Sequence, residues 1–239
     1  MLKVLKAATQ DSAVPVACWS CSVAHNESTL FCPHCSKIQP PAVGDYFTVF
    51  SLKPHLHLDL AALETEFHRL SRKLHPDRFA RASESEKEWS LADTALLNDA
   101  YRTLKDPIHR TEYLLKLHGA EIGEEHAGKD RRIREMGASR APADLLEEVF
   151  DLNMQLEEMR MSRQAGETDL ELQQSLTTAK QKFDGLLAEV DDDLRAQWTA
   201  WDNGDEPARQ AAQKTMVALL DRRRYLSNLV REVNETIAA

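Results

Sequence analysis

Residues 60–77, LAALETEFHRLSRKLHPD, combine a helical apolar pattern with an abrupt end. Apolar side chains recur at three- and four-residue intervals and predict one buried stripe, formed by Leu60, Leu63, Phe67, Leu70 and Leu74. Basic side chains project from the other side of the predicted helix: Arg69, Arg72 and Lys73. Proline has no N–H to donate and disfavours the helical conformation of the residue before it, so the helix is predicted to end near His75. Asp77 is then presented just outside the helix end.

An ordinary helix end with a solvated basic face is one interpretation of this segment. The sequence that follows favours a more specific interpretation. After a polar gap at residues 83–87, the stretch NDAYRTLKDP, residues 98–107, is predicted to end a second helix. The side chains predicted to face inward from this helix are Leu97, Ala100, Tyr101 and Leu104.

Two antiparallel helices joined by a loop with His75-Pro76-Asp77, together with the Asn-x-Ala-Tyr-x-x-Leu pattern of residues 98–104, resemble the J-domain. The resemblance implies a docking surface for ATPase chaperones of the DnaK type. The resemblance also implies that this loop triggers ATP hydrolysis by the chaperone and that the basic face of the first helix steers the chaperone towards it. The implied docking residues are His75, Pro76, Asp77, Arg69, Arg72 and Lys73.

The composition predicts a mainly α-helical protein. The 239 residues are 42% hydrophobic and 29% charged, with 8 Gly, 9 Pro and few alternating β-branched runs. The sequence has no run of about 18 apolar residues, so no membrane span is predicted. Net charge is −9, and residues 141–239 contain 11 Lys and Arg against 20 Asp and Glu. Nucleic acid is therefore not an expected ligand there, whereas a basic protein partner and a plain solvated surface both fit.

Residues 1–17 have neither the apolar core of a secretory signal nor the Arg-rich, acid-free character of a mitochondrial presequence. We expect a disordered start over these residues. A mature or bacterial form is expected in the cytoplasm, and a protein of eukaryotic source in the mitochondrial matrix.

All four cysteines of the chain lie in two Cys-x-x-Cys pairs, formed by Cys18 with Cys21 and by Cys32 with Cys35. Four thiolates can close a tetrahedral shell around zinc at about 2.3 Å, and a segment as short as residues 18–40 depends on such a centre to fold. We predict a structural Zn²⁺ site. Because four protein ligands fill the shell, no position is left for a substrate, and no catalysis is expected here.

Two other assignments of the cysteines remain open. Four thiolates also suit a rubredoxin-like iron site. A pair of redox disulfides is the second alternative, which a reducing cytosol disfavours. His25 and His34 are available as extra ligands, but a complete cysteine set makes them bystanders.

Pro40, Pro41 and Gly44 predict a linker, after which the J-like unit is expected over residues 45–119. It opens with a short helix that supplies aromatic packing through Tyr46, Phe47 and Phe50. Its opening DYF, residues 45–47, and its closing RTEYLLKLHG, residues 110–119, resemble the HscB family of J-type co-chaperones of iron–sulfur cluster assembly. The tetracysteine module directly before it resembles the module of animal members.

The chain lacks the glycine-rich repeats and the Cys-x-x-Cys-x-Gly-x-Gly module of general substrate-binding J-proteins. We therefore disfavour the holding of unfolded polypeptides. Residues 120–140 are predicted to be a connector. Three helices are expected after it, at about 141–163, 168–202 and 205–237, and their short connections predict an antiparallel three-helix bundle in residues 141–239.

The first bundle helix is predicted to have two apolar stripes. One stripe is expected in the bundle core and comprises Leu145, Val149, Leu152, Leu156 and Met159. The second comprises Leu146, Phe150 and Met154, bordered by Glu147, Asp151 and Glu158. Because one stripe suffices for a small bundle, the second is a candidate partner site. Cover by the J-domain or by the third helix is the alternative.

The HscB resemblance implies that the second stripe binds a scaffold protein. The implied scaffold-binding residues are Leu146, Glu147, Phe150, Asp151, Met154, Glu158 and Tyr225. The implied function is a non-enzymatic adaptor, a monomer or weak homodimer, that binds an IscU-type iron–sulfur scaffold and delivers it to a DnaK- or HscA-type ATPase chaperone. A general J-type folding co-chaperone is the alternative. A metal-dependent enzyme is poorly supported, because the cysteine shell is full and no catalytic constellation is recognisable.

Overall fold

The computed structural model describes residues 15–26, 29–41, 44–122, 142–166 and 169–238. The chain divides into two compact units, Met1–Ala120 and Glu121–Ala239. The predicted fold class is confirmed: the described residues are mainly helical, with a compact tetracysteine group in the N-terminal region. Most of the predicted connector, residues 123–140, lies outside the described residues.

The cysteine module begins with a two-stranded antiparallel sheet. Strand β1, Pro15–Ala17, pairs with strand β2, Ala24–Asn26, so that Val16 lies opposite His25. A bridge between Phe31 and Ile38 supports the second cysteine pair. The prediction of a disordered start over residues 1–17 is therefore wrong for its last three residues, because their backbone pairs with β2. Residues 1–14 lie outside the described residues.

The J-like unit opens with helix α1, Tyr46–Val49, which Asp45 caps by accepting a 2.9 Å hydrogen bond from the amide of Thr48. The side chain of Phe47 is fully buried. The ring of Tyr46 stacks on that of Tyr113 with centroids 4.4 Å apart, and the amide of Tyr46 donates to the Tyr113 hydroxyl at 2.9 Å. The opening and closing motifs of this unit thus pack together.

Helix α2, Leu60–Leu74, begins at the N-cap Asp59. The predicted stripe is confirmed for Leu63, Leu70 and Leu74, which are buried, and the edge residue Phe67 stacks on Tyr101 with centroids 4.1 Å apart. Leu60 corrects the prediction, because its exposed fraction is 45%. Leu60 is the first residue of the helix, so no preceding helical turn lies beneath its side chain.

Helix α3, Glu84–Lys105, packs on α2 with Leu97, Ala100 and Leu104 fully buried. The predicted polar gap at residues 83–87 is wrong, because this segment is the first turn of α3. Ser83 and Glu86 form a capping box in which each side chain binds the backbone amide of the other, at 3.1 and 3.3 Å. Helix α4, Pro107–Leu117, follows, with Leu114 and Leu115 fully buried.

The C-terminal unit contains α5, Leu146–Gln164, α6, Leu170–Asn203, and α7, Glu206–Ala238, preceded by a 3-10 turn at Ala143–Leu145. These bounds agree with the prediction to within a few residues. Its buried core contains the predicted inner stripe of α5 and residues of both partner helices: Leu145, Val149, Leu152, Leu156, Met159, Leu172, Leu176, Phe183, Val190, Leu226, Leu229 and Val233.

Two ion pairs show the relative direction of the bundle helices. Asp144 pairs with Arg222 before α5, and Arg160 pairs with Glu232 near the end of α5, at 2.8 and 2.7 Å. Helices α5 and α7 therefore run parallel, and α6 runs antiparallel to both. Gly204 allows the turn from α6 to α7, because a Cβ atom there meets the carbonyl oxygen of Ala200 at far below contact distance. None of the described helices has the length and apolar character needed to cross a membrane.

Candidate functional site

The four cysteines come together in the N-terminal module. Their Sγ atoms all lie within 4.8 Å of one another. Those of Cys18 and Cys35 are 3.6 Å apart, and those of Cys21 and Cys32 are 3.7 Å apart. A tetrahedral ion with bonds of about 2.3 Å to sulfur separates its ligands by about 3.8 Å. The cluster geometry therefore suits a tetrahedral thiolate centre.

Both cysteine pairs share one backbone geometry. In each knuckle the first cysteine's Sγ accepts a 3.4 Å hydrogen bond from the amide two residues later, that of Ser20 or His34. The carbonyl of the same cysteine accepts from Ser22 or Ser36, at 2.9 Å in each case. Ser22 and Ser36 have φ values of 60° and 59°, the left-handed conformation that closes each turn. The two knuckles thus aim their sulfur atoms at a common centre.

A buried polar chain supports the first knuckle. The amide nitrogen Nε2 of Gln39 donates to Cys18 Sγ at 3.5 Å, and its oxygen lies 3.0 Å from His25 Nε2. The other ring nitrogen of His25 lies 2.9 Å from the Thr29 hydroxyl. His25 is thus linked to a ligand rather than serving as one. His34 is exposed. Gln39 was not predicted as part of the site, since no local pattern links it to the cysteines.

The four thiols affect one another's ionisation. Burial raises the pKa of Cys18, but hydrogen bonds from the amides of Cys21 and Ser20 and from the neighbouring thiols lower it to about 6. The amide of Val23 lowers the pKa of Cys21, but burial and the neighbouring cysteines raise it to about 12. Four thiolates at these separations need a cation to offset their repulsion. The group can therefore bind a metal ion, and its donors suit zinc or iron.

The loop His75-Pro76-Asp77 follows the end of α2. Pro76–Phe79 form a 3-10 turn in which His75 Nδ1 accepts a 3.3 Å hydrogen bond from the amide of Asp77. The exposed fractions of the His75 and Asp77 side chains are 58% and 91%. The loop therefore exposes an imidazole and a carboxylate at the protein surface.

Two hydroxyl groups of helix α3 support the backbone at the base of the loop. The Ser90 hydroxyl donates to the carbonyl oxygen of Leu74 at 2.6 Å, and the Thr94 hydroxyl points at the same oxygen from 3.4 Å. That carbonyl belongs to the last turn of α2, where helical partners are missing. Neither hydroxyl group was predicted as part of the site, because their partner lies on another helix.

The predicted basic face of α2 is exposed. Arg69 forms an ion pair with Glu66, and Arg72 Nε donates to the carbonyl oxygen of His68 at 3.1 Å. Lys73 lies with its Nζ 5.7 Å from the centre of the Phe31 ring, in the cysteine module. Only Arg69 is thus neutralised by a carboxylate within the described residues.

All three residues of the second stripe of α5 are exposed. The exposed fractions of Leu146, Phe150 and Met154 are 51%, 64% and 59%. The acids predicted to border it are also exposed: Glu147, Asp151 and Glu158. Met161, at 59%, continues the stripe two turns beyond Met154 and was not predicted.

Tyr225 on α7 is partly buried against the bundle core. The ion pair between Asp144 and Arg222 joins the beginning of α5 to the turn of α7 before Tyr225. Tyr225 therefore lies level with the first turns of α5. Burial raises the pKa of its hydroxyl group.

Comparison with known proteins identifies relatives along most of the chain. No family model matches it. The mouse protein "Iron-sulfur cluster co-chaperone protein HscB" is 32% identical over 231 residues, which cover 95% of this chain and 85% of the mouse protein. Its human counterpart is 34% identical over 180 residues, covering 74% of this chain and 70% of the human protein.

A solved structure agrees with these relatives. The crystal structure of human co-chaperone protein HscB matches with a TM-score of 0.63 and 27% identity, covering 92% of this chain and 98% of the human chain. Similarity in sequence thus extends across both units, and the fold is shared. The chain belongs to the HscB family of iron–sulfur cluster co-chaperones.

Proposed function

We propose that this protein binds an IscU-type iron–sulfur cluster scaffold through α5 and delivers it to a DnaK-type ATPase chaperone, whose ATP hydrolysis it stimulates. The observation that carries the proposal is the exposed stripe Leu146, Phe150 and Met154 on a helix whose other face already fills the bundle core. A contiguous exposed apolar surface with a polar rim is typical of a protein-binding site.

The stripe provides anchors of suitable size. Burying the exposed part of a Leu or Phe side chain is favourable by about 1–2 kcal/mol, so Leu146 and Phe150 can act as anchors for a partner. The acids Glu147, Asp151 and Glu158 surround the stripe and favour a partner with a basic rim. Tyr225 adds an aromatic side chain level with the first turns of α5.

The loop is the proposed trigger. His75, Pro76 and Asp77 are exposed beside the basic residues of α2, so an acidic surface of the chaperone can meet both at once. The proposed docking set is His75, Pro76, Asp77, Arg69, Arg72 and Lys73. In this role the protein does no covalent chemistry itself.

The proposed metal is zinc in a structural role. Four thiolates hold the ion, the amides of Ser20 and His34 support two of the sulfur atoms, and Gln39 supports one of them. A bound ion cross-links two short knuckles that otherwise have little core of their own.

Two variants separate the two proposed activities. His75→Gln is expected to abolish stimulation of the chaperone's ATPase while scaffold binding, measured by titration calorimetry, stays intact. A Leu146→Ala and Phe150→Ala double variant is expected to lose scaffold binding and keep the scaffold-independent stimulation. Loss of both activities in either variant, or of neither, contradicts the division of labour. If unfolded polypeptides replaced the scaffold in enhancing the chaperone's ATPase rate in the presence of the wild-type protein, a general folding co-chaperone would be favoured.

A further inference from the structure

The cysteine module packs directly on the J-like helices. The ring of Trp19 meets the ring of Trp89 edge-on, with centroids 5.8 Å apart. Lys37 Nζ lies 3.3 Å from Glu86 Oε1, in the capping box of α3. Phe31 lies beneath Lys73, as described above. The second knuckle is therefore held between the end of α2 and the beginning of α3.

This packing leaves a cleft of about 680 Å³. Phe31 and Lys37 of the module form one wall, and Arg69 and Lys73 of α2 form another. Arg78, which directly follows the loop residue Asp77, also lines it. The cleft is thus continuous with the surface around the proposed trigger loop.

The cleft has a positive charge balance. Its four basic residues are Lys37, Arg69, Lys73 and Arg78, and its two acids are Glu66 and Glu86. Each acid is already paired, Glu66 with Arg69 and Glu86 with Lys37. In the described part of the chain, Lys73 and Arg78 form no ion pair with a carboxylate, although Lys73 is near enough to Glu66 to help lower the pKa of that acid. The side chain of Lys37 is 52% exposed despite its ion pair, so a carboxylate ligand can reach it.

We propose that this cleft takes an acidic segment of the same ATPase chaperone that the His75 loop engages, and that the cysteine module thereby supplies Lys37 to the docking surface. The inference rests on the proposed function. Positive charge favours an acidic occupant, and continuity with the loop favours one already held there. A chaperone docked on Asp77 and Arg78 would be adjacent to this opening, because Arg78 lines it.

The knuckle determines where Lys37 lies. The amide of Cys32 donates to the Lys37 carbonyl oxygen at 2.8 Å, so the backbone of Lys37 closes the turn that carries a thiol ligand. The module consequently has a role beyond its own stability. The module extends the proposed chaperone-binding surface towards the beginning of α3, where Lys37 lies beside Glu86.

The test compares Lys37→Gln with Lys116→Gln, an exposed lysine of α4 that does not line the cleft. The full-length, metal-loaded proteins are titrated into an ATPase assay with the chaperone. Lys37→Gln is expected to raise the concentration for half-maximal stimulation by roughly five-fold, with the maximal rate unchanged, because a rim charge acts on association. Lys116→Gln is expected to match the wild type. Equal half-maximal concentrations for both variants overturn the inference.

Glu86→Gln separates contact with the chaperone from support of the module. Glutamine preserves the capping box but removes the ion pair with Lys37. If Lys37 contacts the chaperone, Glu86→Gln lowers the half-maximal concentration or leaves it unchanged. A rise equal to that of Lys37→Gln shows that the ion pair only holds the module in place, and overturns the inference. A wild-type protein without stimulation refutes the proposed function instead.

Discussion

The hydroxyl group of Ser90 donates a 2.6 Å hydrogen bond to the carbonyl oxygen of Leu74, the residue immediately before His75. Ser90 is fully buried on α3, and Leu74 is fully buried at the end of α2. The contact therefore joins the two helices at the base of the loop. It holds the backbone from which the imidazole of His75 projects.

Replacing Ser90 with Ala is expected to lower the free energy of unfolding by about 1–2 kcal/mol. The substitution leaves a buried carbonyl with only the longer contact to Thr94. Urea denaturation followed by circular dichroism measures the change. Ser85→Ala is the matched control, because Ser85 is exposed in the first turn of the same helix. Equal stability of the two variants contradicts a supporting role for Ser90.

Asp93 is fully buried on α3, and neither of its carboxyl oxygens has a hydrogen-bond partner among the described residues. Burial raises its pKa to about 7, whereas the unfolded chain releases this proton near pH 4. The folded state therefore binds more protons between these values. The contribution of Asp93 to the free energy of unfolding falls as pH rises from about 4 to about 7, and stays low above pH 7.

Asp93→Asn is expected to remove this pH dependence, because Asn resembles the protonated carboxyl group. The stability gained over the wild type grows from pH 5 to pH 7 and reaches at most about 4 kcal/mol at pH 8, from about three pKa units. Urea denaturation at these pH values measures the difference. Glu88→Gln, at an exposed position of α3, is expected to show no such trend. A gain that is the same at pH 5 and pH 8 refutes the assignment.

The cysteine cluster is expected to hold one equivalent of zinc per chain after gentle purification. Cys32→Ser removes one of four ligands and is expected to reduce the zinc content to well below one equivalent. His34→Ala serves as the control, because the His34 side chain is exposed and its amide, which supports Cys32, is retained. Elemental analysis decides the outcome. Loss of zinc from His34→Ala, or its absence from the wild type, contradicts a tetrathiolate zinc site.

The two stripes of α5 are expected to respond differently to truncation. A Leu146→Ala and Phe150→Ala double variant is expected to weaken scaffold binding by about 2 kcal/mol or more while its unfolding free energy changes little. Leu152→Ala, on the buried stripe, is expected to cost about 2–5 kcal/mol of stability. Titration calorimetry and urea denaturation measure the two effects. Strong destabilisation by the double variant would show that the outer stripe belongs to the bundle core instead of a binding surface.

Much of the fold was predictable from local spacing. Helical periodicity placed the buried stripes of α2 and α5, and the glycines near residues 166 and 204 marked the ends of bundle helices. Leu60 and the segment 83–87 were predicted wrongly, because a helix start depends on capping contacts as well as on apolar spacing. The capping box of Ser83 and Glu86 begins α3 within a polar run.

The sequence by itself determined which side chains share a helix face and which cysteines belong to the same Cys-x-x-Cys motif, because both depend on spacings of a few residues. Only the tertiary structure decided which distant groups meet: Ser90 with Leu74, Gln39 with Cys18, and Lys37 with Glu86. Such contacts depend on how helices and knuckles pack in three dimensions. No short-range pattern records that packing, because the partners lie 16 to 49 residues apart along the chain.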